Sequence, residues 1–210
     1  MTEAAKISAP VPIVHVVDDD EAVRDSIRLL LYSVGLKVEP YASAADFLAR
    51  ADLARPGCVV ADVRMPGMSG LDLQKVLAAR NVPLPVIILT GHGDIPMAVG
   101  ALRAGASDFI EKPYDDQHLI DSVHRALEVG DRERRDRERV ERARACWERL
   151  TARERDVMTM VAAGDSNKVI AARLGISPRT VEVHRGNVME KFEVRSLSEL
   201  VRAAQLLEEA

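Results

Sequence analysis

The sequence predicts a doubly wound α/β fold, a five-stranded parallel sheet covered by helices on both faces, followed by a small all-α helix-turn-helix domain. Three features predict it. Apolar runs of strand length alternate with amphipathic stretches from Pro12 to about Leu127, the strand signal then gives way to arginines and acids, and residues 151–210 carry helical patterning alone. At 210 residues the chain has room for one or two compact units, and the change of character in the middle favours two. The expected division is 12–128, a charged helical linker at 129–149, and 150–210.

The strand-length runs are Ile13–Val17, Leu36–Glu39, Cys58–Ala61, Val86–Leu89 and Asp108–Ile110, mostly rich in β-branched residues. Between the first two, Val23, Ile27, Leu30, Leu31 and Val34 share a helix face, with Gly35 at the stop. Ser43–Ala51, Gly70–Arg80 and Pro96–Ala104 read the same way, the last closed by Gly105, and a fifth helix begins near Asp115. In the charged segment Val140, Ala143, Trp147 and Leu150 form a narrow apolar stripe, which favours a helix over a solvated linker. Thr151 with Glu154 is a capping box ahead of Val157, Met158, Met160 and Val161. Ser166 caps a short helix carrying Val169, Ile170 and Leu174, which Gly175 ends. Ser177-Pro178 opens a longer helix to about Phe192, and Ser196 with Glu199 repeats the box for the last one.

Composition narrows the function classes. Hydrophobic residues at 47% supply a core, and charged residues at 30% fit a soluble protein. The net charge of −4 is unevenly spread. Residues 1–128 carry 12 Lys and Arg against 18 Asp and Glu, residues 129–150 carry 8 against 6, and residues 151–210 carry 9 against 9. The first unit is therefore acidic, as a cation-binding module is, and the second can still turn a basic face to an anion. Cys58 and Cys146 are too few for a disulfide framework, which fits a reducing cytoplasm. No apolar run reaches the roughly 20 residues that span a bilayer, and residues 1–10 lack a signal-peptide core.

In doubly wound sheets ligands bind beyond the carboxyl ends of the strands, at the switch point in strand order. Asp18, Asp19 and Asp20 follow the first strand and Asp62 follows the third, so if those strands are neighbours the acids converge. Crowded carboxylates need a cation, and an inventory of oxygen ligands without His or Cys favours Mg²⁺. Thr90 ends the fourth strand and Lys112 the fifth, where a hydroxyl and an ammonium can hold phosphoryl oxygens while an aspartate acts as nucleophile. Pro113 after Lys112 points to a fixed turn, with a cis peptide as one way to make it. Singly, each residue has an ordinary role, an Asp at a strand end most often as a cap or turn residue. Their joint placement favours the functional reading.

VVDDDEAVRDS at 16–26, DVRMPGMSGLDL at 62–73, LTGHGDIPMAV at 89–99 and GASDFIEKPYD at 105–115 resemble the receiver domain of two-component response regulators, and TGHGD and DFIEKP are similar in particular to the FixJ branch of the FixJ/NarL family. The resemblance implies that Asp62 is phosphorylated, that Asp18 and Asp19 are the acidic pair, and that Mg²⁺ also takes the Arg64 backbone carbonyl. It implies a switch in which Thr90 moves towards the phosphoryl group and Phe109 turns inward behind it. It sets Arg64 and His92 beside the site, and it makes Asp20 a helix-start residue outside the metal set.

The spacing around Ala171-Ala172-Arg173-Leu174-Gly175-Ile176-Ser177 is that of a helix-turn-helix whose second helix can enter a major groove. Arg179, Thr180, Arg185 and Lys191 are phosphate-contact types. Glu182 can accept from a cytosine amino group, unless it is only a solvated acid at a helix start, and Val183 can touch a thymine methyl. Gly186 and Asn187 lie on the same helix, while Val181, Val188 and Met189 suit its buried face. Residues 150–192 resemble the LuxR/FixJ-type output domain, which implies a four-helix DNA-binding unit whose third helix reads and whose fourth contributes to pairing.

The function expected is a cytoplasmic, phosphorylation-dependent transcriptional regulator. A sensor histidine kinase is the donor, a homodimer forms on phosphorylation, double-stranded DNA half-sites are the target, RNA polymerase is a further candidate partner, and no membrane is involved. Catalysis is limited to self-phosphotransfer and self-dephosphorylation. Two other classes compete. A phosphatase with a separate substrate commonly has a second acid two residues after its nucleophile, where this chain has Arg64. A protein-binding adaptor would leave DNA unbound at low salt.

Overall fold

A computed structural model of the chain describes residues 10–91 and 95–208. Strands and helices alternate through the first unit: β1 (Ile13–Val17), α1 (Glu21–Ser33), β2 (Lys37–Tyr41), α2 (Ala44–Arg50), β3 (Gly57–Asp62), α3 (Gly70–Ala79), β4 (Val86–Thr90), α4 (Ile95–Arg103) and β5 (Asp108–Glu111). The helix α5 (Asp116–Glu148) follows, then α6 (Ala152–Ala162), α7 (Asn167–Leu174), α8 (Pro178–Lys191) and α9 (Leu197–Glu208). The chain divides into two compact units between Arg134 and Arg135.

All strand pairings are parallel, in the order β2-β1-β3-β4-β5. Every residue of β1, β3 and β4 is buried, as a sheet covered on both faces requires. Two apolar layers result. Val17, Phe47, Val59, Ala61, Leu73 and Ile88 belong to one, and Val14, Val16, Ile27, Leu31, Leu89 and Leu119 to the other. Strand β2 runs past the expected end at Glu39 through Pro40 to Tyr41. It is an edge strand, where the missing proline N–H removes no hydrogen bond that a neighbour needs.

Local signals set the helix ends. Asp20 is the N-cap of α1, its carboxylate accepting from the Ala22 N–H at 2.8 Å. Ser69 caps α3, and Gly70 at its first position lies so close to the end of β3 that a Cβ there would overlap the Asp62 backbone carbonyl. Helix propensity favours Gly70→Ala, but the overlap dominates. The substitution is expected to destabilise the first unit by about 1–3 kcal/mol, as overpacking does, read as a lower midpoint in denaturant at unchanged slope.

The second unit packs around Val157, Met158, Val161, Ile170, Val181, Val188 and Leu200. Thr151 and Glu154 form a complete capping box on α6. At α9 the box closes one residue early, with the Glu199 carboxylate accepting from the Arg195 N–H at 2.9 Å.

Candidate functional site

Parallel strands end at one edge of the sheet, and the reversal of strand order between β1 and β3 opens a crevice there. Asp18 follows β1, Asp62 ends β3, Thr90 ends β4 and Lys112 follows β5. Lys112 Nζ donates to Asp18 Oδ2 at 2.7 Å and to Asp62 Oδ1 at 2.6 Å, so one ammonium joins carboxylates from two strands. Backbone donors hold the remaining oxygens: Arg64 N–H to Asp62 Oδ2 at 2.6 Å and Asp20 N–H to Asp18 Oδ1 at 2.9 Å. Lys112 N–H donates to the Thr90 carbonyl at 2.7 Å, and the Lys112–Pro113 peptide is cis.

Burial makes this pairing obligatory. Asp18 is 2% exposed and Thr90 0%, while Asp62 keeps 7%. Two carboxylates so placed need a counter-charge. Burial opposes the charged ammonium of Lys112, but its hydrogen bonds and Coulomb attraction to Asp18 and Asp62 outweigh that, and its pKa lies above the ordinary lysine value. Lys112, Asp18 and Asp62 taken together keep a net negative charge.

The expected metal set is only partly gathered. Among the described residues no group of three or more His, Cys, Asp or Glu stands within reach of one ion. Asp18 and Asp62 converge, whereas the Asp19 side chain is exposed. Arg24, which sequence reasoning passed over, donates from Nη1 to the Asp18 and Asp19 carbonyls at 2.8 and 3.0 Å and pins that loop. The donor chemistry present, hard carboxylate oxygens with excess negative charge, fits Mg²⁺. Phe109 is half-buried against the layer containing Ile88 and Ala101, Arg64 is exposed, and His92 lies outside the described residues.

In the second unit Gly175 adopts the left-handed conformation, φ 65° and ψ 35°, that ends α7, and the Ile176 N–H returns to the Ala171 carbonyl at 3.1 Å. Ser177 then caps α8 by accepting from the Thr180 N–H at 3.1 Å. Burial of Val181 and Val188, with Met189 packed against them, turns Arg179, Glu182, Val183, Gly186 and Asn187 outward and leaves Thr180 and Arg185 half-buried.

Lys191 departs from the expected phosphate-facing set. Its Nζ donates to Glu154 Oε2 at 2.6 Å and to the Arg149 carbonyl at 3.2 Å, because the buried Glu154 carboxylate needs a cation inside the domain. Asn167, not singled out in the sequence, accepts from Arg185 Nη1 at 2.5 Å and donates to Glu182 Oε1 at 3.5 Å.

Comparison with known proteins identifies both units. Residues 14–124 match the response regulator receiver domain, and residues 148–204 match the bacterial regulatory proteins of the luxR family. The chain therefore belongs to the two-component response regulators, as a DNA-binding regulator of transcription with a LuxR-type output domain. It is 49% identical over 193 residues to the transcriptional regulatory protein FixJ of Azorhizobium caulinodans, covering 92% of each chain. The FixJ protein of Rhizobium meliloti is 48% identical, over 91% of this chain and 94% of its own. Among solved structures, the response regulator StyR superposes with a TM-score of 0.82 at 43% identity, covering 95% of this chain and 99% of that one. Full-length FixJ from B. japonicum gives 0.58 at 43% identity, over 95% and 98%. No helix among the described residues is long and apolar enough to cross a membrane.

Proposed function

We propose that Asp62 accepts a phosphoryl group from a sensor histidine kinase in the presence of Mg²⁺, and that the modification promotes pairing of two copies and binding of α8 to promoter DNA in the cytoplasm. The observation that carries this is the Lys112 ammonium held between Asp18 and Asp62 at the carboxyl edge of the sheet, with Asp62 retaining a window to solvent.

An Asp62 carboxylate oxygen forms the new O–P bond as the P–N bond to the kinase histidine breaks and its electron pair stays with the imidazole nitrogen. The Arg64 N–H and Lys112 orient that carboxylate before the reaction, and Lys112 then pairs with a phosphoryl oxygen. Asp18, Asp19, Asp62 and the Arg64 backbone carbonyl would hold Mg²⁺, which supplies charge against the transferring oxygens. Thr90 offers its hydroxyl, and Phe109 follows it inward. Pairing is supported by the exposed apolar side chains of α4, Ile95, Val99 and Leu102. A shift of about 3–5 kcal/mol moves a two-state population from mostly one form to mostly the other. The catalysis in this reading is limited to transfer onto Asp62 and hydrolysis from it.

On DNA, Arg179, Thr180 and Arg185 take phosphates, Glu182 reads a cytosine amino group, Val183 a thymine methyl, and Asn187 lies alongside. Two copies set two reading helices on two half-sites, where RNA polymerase is a further partner. With Mg²⁺ and an acyl phosphate donor the chain should gain one phosphoryl group by mass and hold duplex DNA more tightly, with affinity falling as salt rises. Equal mass and equal retention with and without donor would overturn the reading.

A further inference from the structure

Glu182 and Arg185 lie three positions apart on α8, so their side chains share a face. A direct ion pair is the ordinary outcome for such a couple, yet here the Asn167 amide, from the first position of α7, stands between them. Its oxygen accepts from Arg185 Nη1 at 2.5 Å and its nitrogen donates to Glu182 Oε1 at 3.5 Å. The two ends of the amide meet the charges they can satisfy, acceptor towards cation and donor towards anion, and a flipped amide would set donor against donor. Among the described residues, Arg179, Val183 and Asn187, the other exposed candidates on α8, take no such hydrogen bond from another helix.

The geometry points to Asn167 as a positioning residue that sets base specificity: it holds Glu182 and Arg185 in the arrangement that α8 presents to DNA. This rests on α8 as the reading helix and deepens it by naming what orients the reader. An acid near DNA faces phosphate repulsion, and an unrestrained Glu182 would turn to solvent. Held against Asn167 and beside a guanidinium, it stays where a cytosine amino group can donate to it. Arg185 uses one of its five N–H donors on Asn167 and keeps the others for the duplex. Asn167 itself need contact no base.

The test uses the full chain, phosphorylated with an acyl phosphate donor, and measures base preference on a randomised half-site together with affinity for non-specific duplex at several salt concentrations. Asn167→Ala is expected to reduce the ratio of specific to non-specific affinity by about five- to ten-fold, the size of one lost base discrimination, while non-specific affinity and its salt slope stay unchanged. Asn167→Asp keeps shape and the acceptor for Arg185 but repels Glu182, so it should lose specificity as Ala does. A role in shape or folding alone would leave Asp like wild type. Added to Glu182→Ala, Asn167→Ala should cost little more, because both remove the same contact. Equal loss of specific and non-specific affinity, full additivity with Glu182→Ala, or wild-type preference in Asn167→Asp would overturn the proposal. If Glu182→Ala leaves base preference intact, Glu182 as reader falls and the proposal falls with it. If it shifts preference and Asn167→Ala does not, the proposal alone falls.

Discussion

Asp62→Asn is expected to yield a folded protein that takes up no phosphoryl group and whose DNA retention no longer responds to donor. The two side chains have nearly the same shape, and the amide oxygen can keep one of the two donors that now meet Asp62, Lys112 Nζ at 2.6 Å or the Arg64 N–H at 2.6 Å, its NH2 end turning from the other. What is lost is the anionic oxygen that forms the O–P bond, and an amide is a poor nucleophile towards phosphorus. Stability should change little. Lys112 keeps Asp18 at 2.7 Å, and this three-residue cluster then holds one ammonium and one carboxylate in place of one ammonium and two carboxylates. Removing a like charge from a crowded site relieves repulsion, so the thermal midpoint should stay level or rise slightly. Intact-mass measurement with Mg²⁺ and an acyl phosphate, run beside wild type, gives the answer directly. An equal mass gain in both proteins would put the acceptor elsewhere, and a donor response without any mass gain would uncouple the switch from phosphorylation.

The site was legible in the sequence to the extent that it depends on strand ends. Parallel strands share a carboxyl edge, so Asp18, Asp62, Thr90 and Lys112 could be brought together once the strands were found, with the neighbouring of β1 and β3 as the one topological assumption. The direct reach of Lys112 to two acids, 94 and 50 residues away, had no local signal. Nor did Arg24, whose guanidinium meets carbonyl oxygens that every residue carries. Strand β2 continues through Pro40 to Tyr41, beyond the run that ends at Glu39, because an edge position tolerates a proline.

Caps were more legible than partnerships across helices. Thr151, Ser166 and Ser177 act within three residues of themselves, so the chain order reports them. Asn167 meets residues 15 and 18 positions on, and Lys191 meets Glu154 37 positions back, distances at which helical periodicity says nothing. A lysine near the end of a reading helix has the chemistry of a phosphate contact. Only the burial of Glu154 gives it another employment.

Glu154 bears the largest stability effect expected in the second unit. It is 3% exposed, and its Oε2 accepts from the Thr151 N–H at 2.8 Å, the Thr151 hydroxyl at 2.9 Å and Lys191 Nζ at 2.6 Å. Burial alone would raise its pKa, but the hydrogen bonds from Lys191 and Thr151 outweigh that and push it down to about 2. A carboxylate depressed in the folded state stabilises fully above its unfolded pKa. That stabilisation is lost as pH falls from the ordinary 4.5 through about 2. The full shift corresponds to about 3 kcal/mol, and solvent screening around the part-exposed Lys191 brings the expected cost of Glu154→Gln nearer about 2 kcal/mol. At neutral pH that lowers the melting temperature of this unit by roughly 10 °C, and the difference from wild type should vanish as the pH approaches 2. Lys191→Met separates the two employments of the lysine. If the ammonium serves Glu154, the variant loses stability and keeps the salt slope of DNA binding. A slope smaller by about 1, with stability unchanged, would instead return Lys191 to the phosphates.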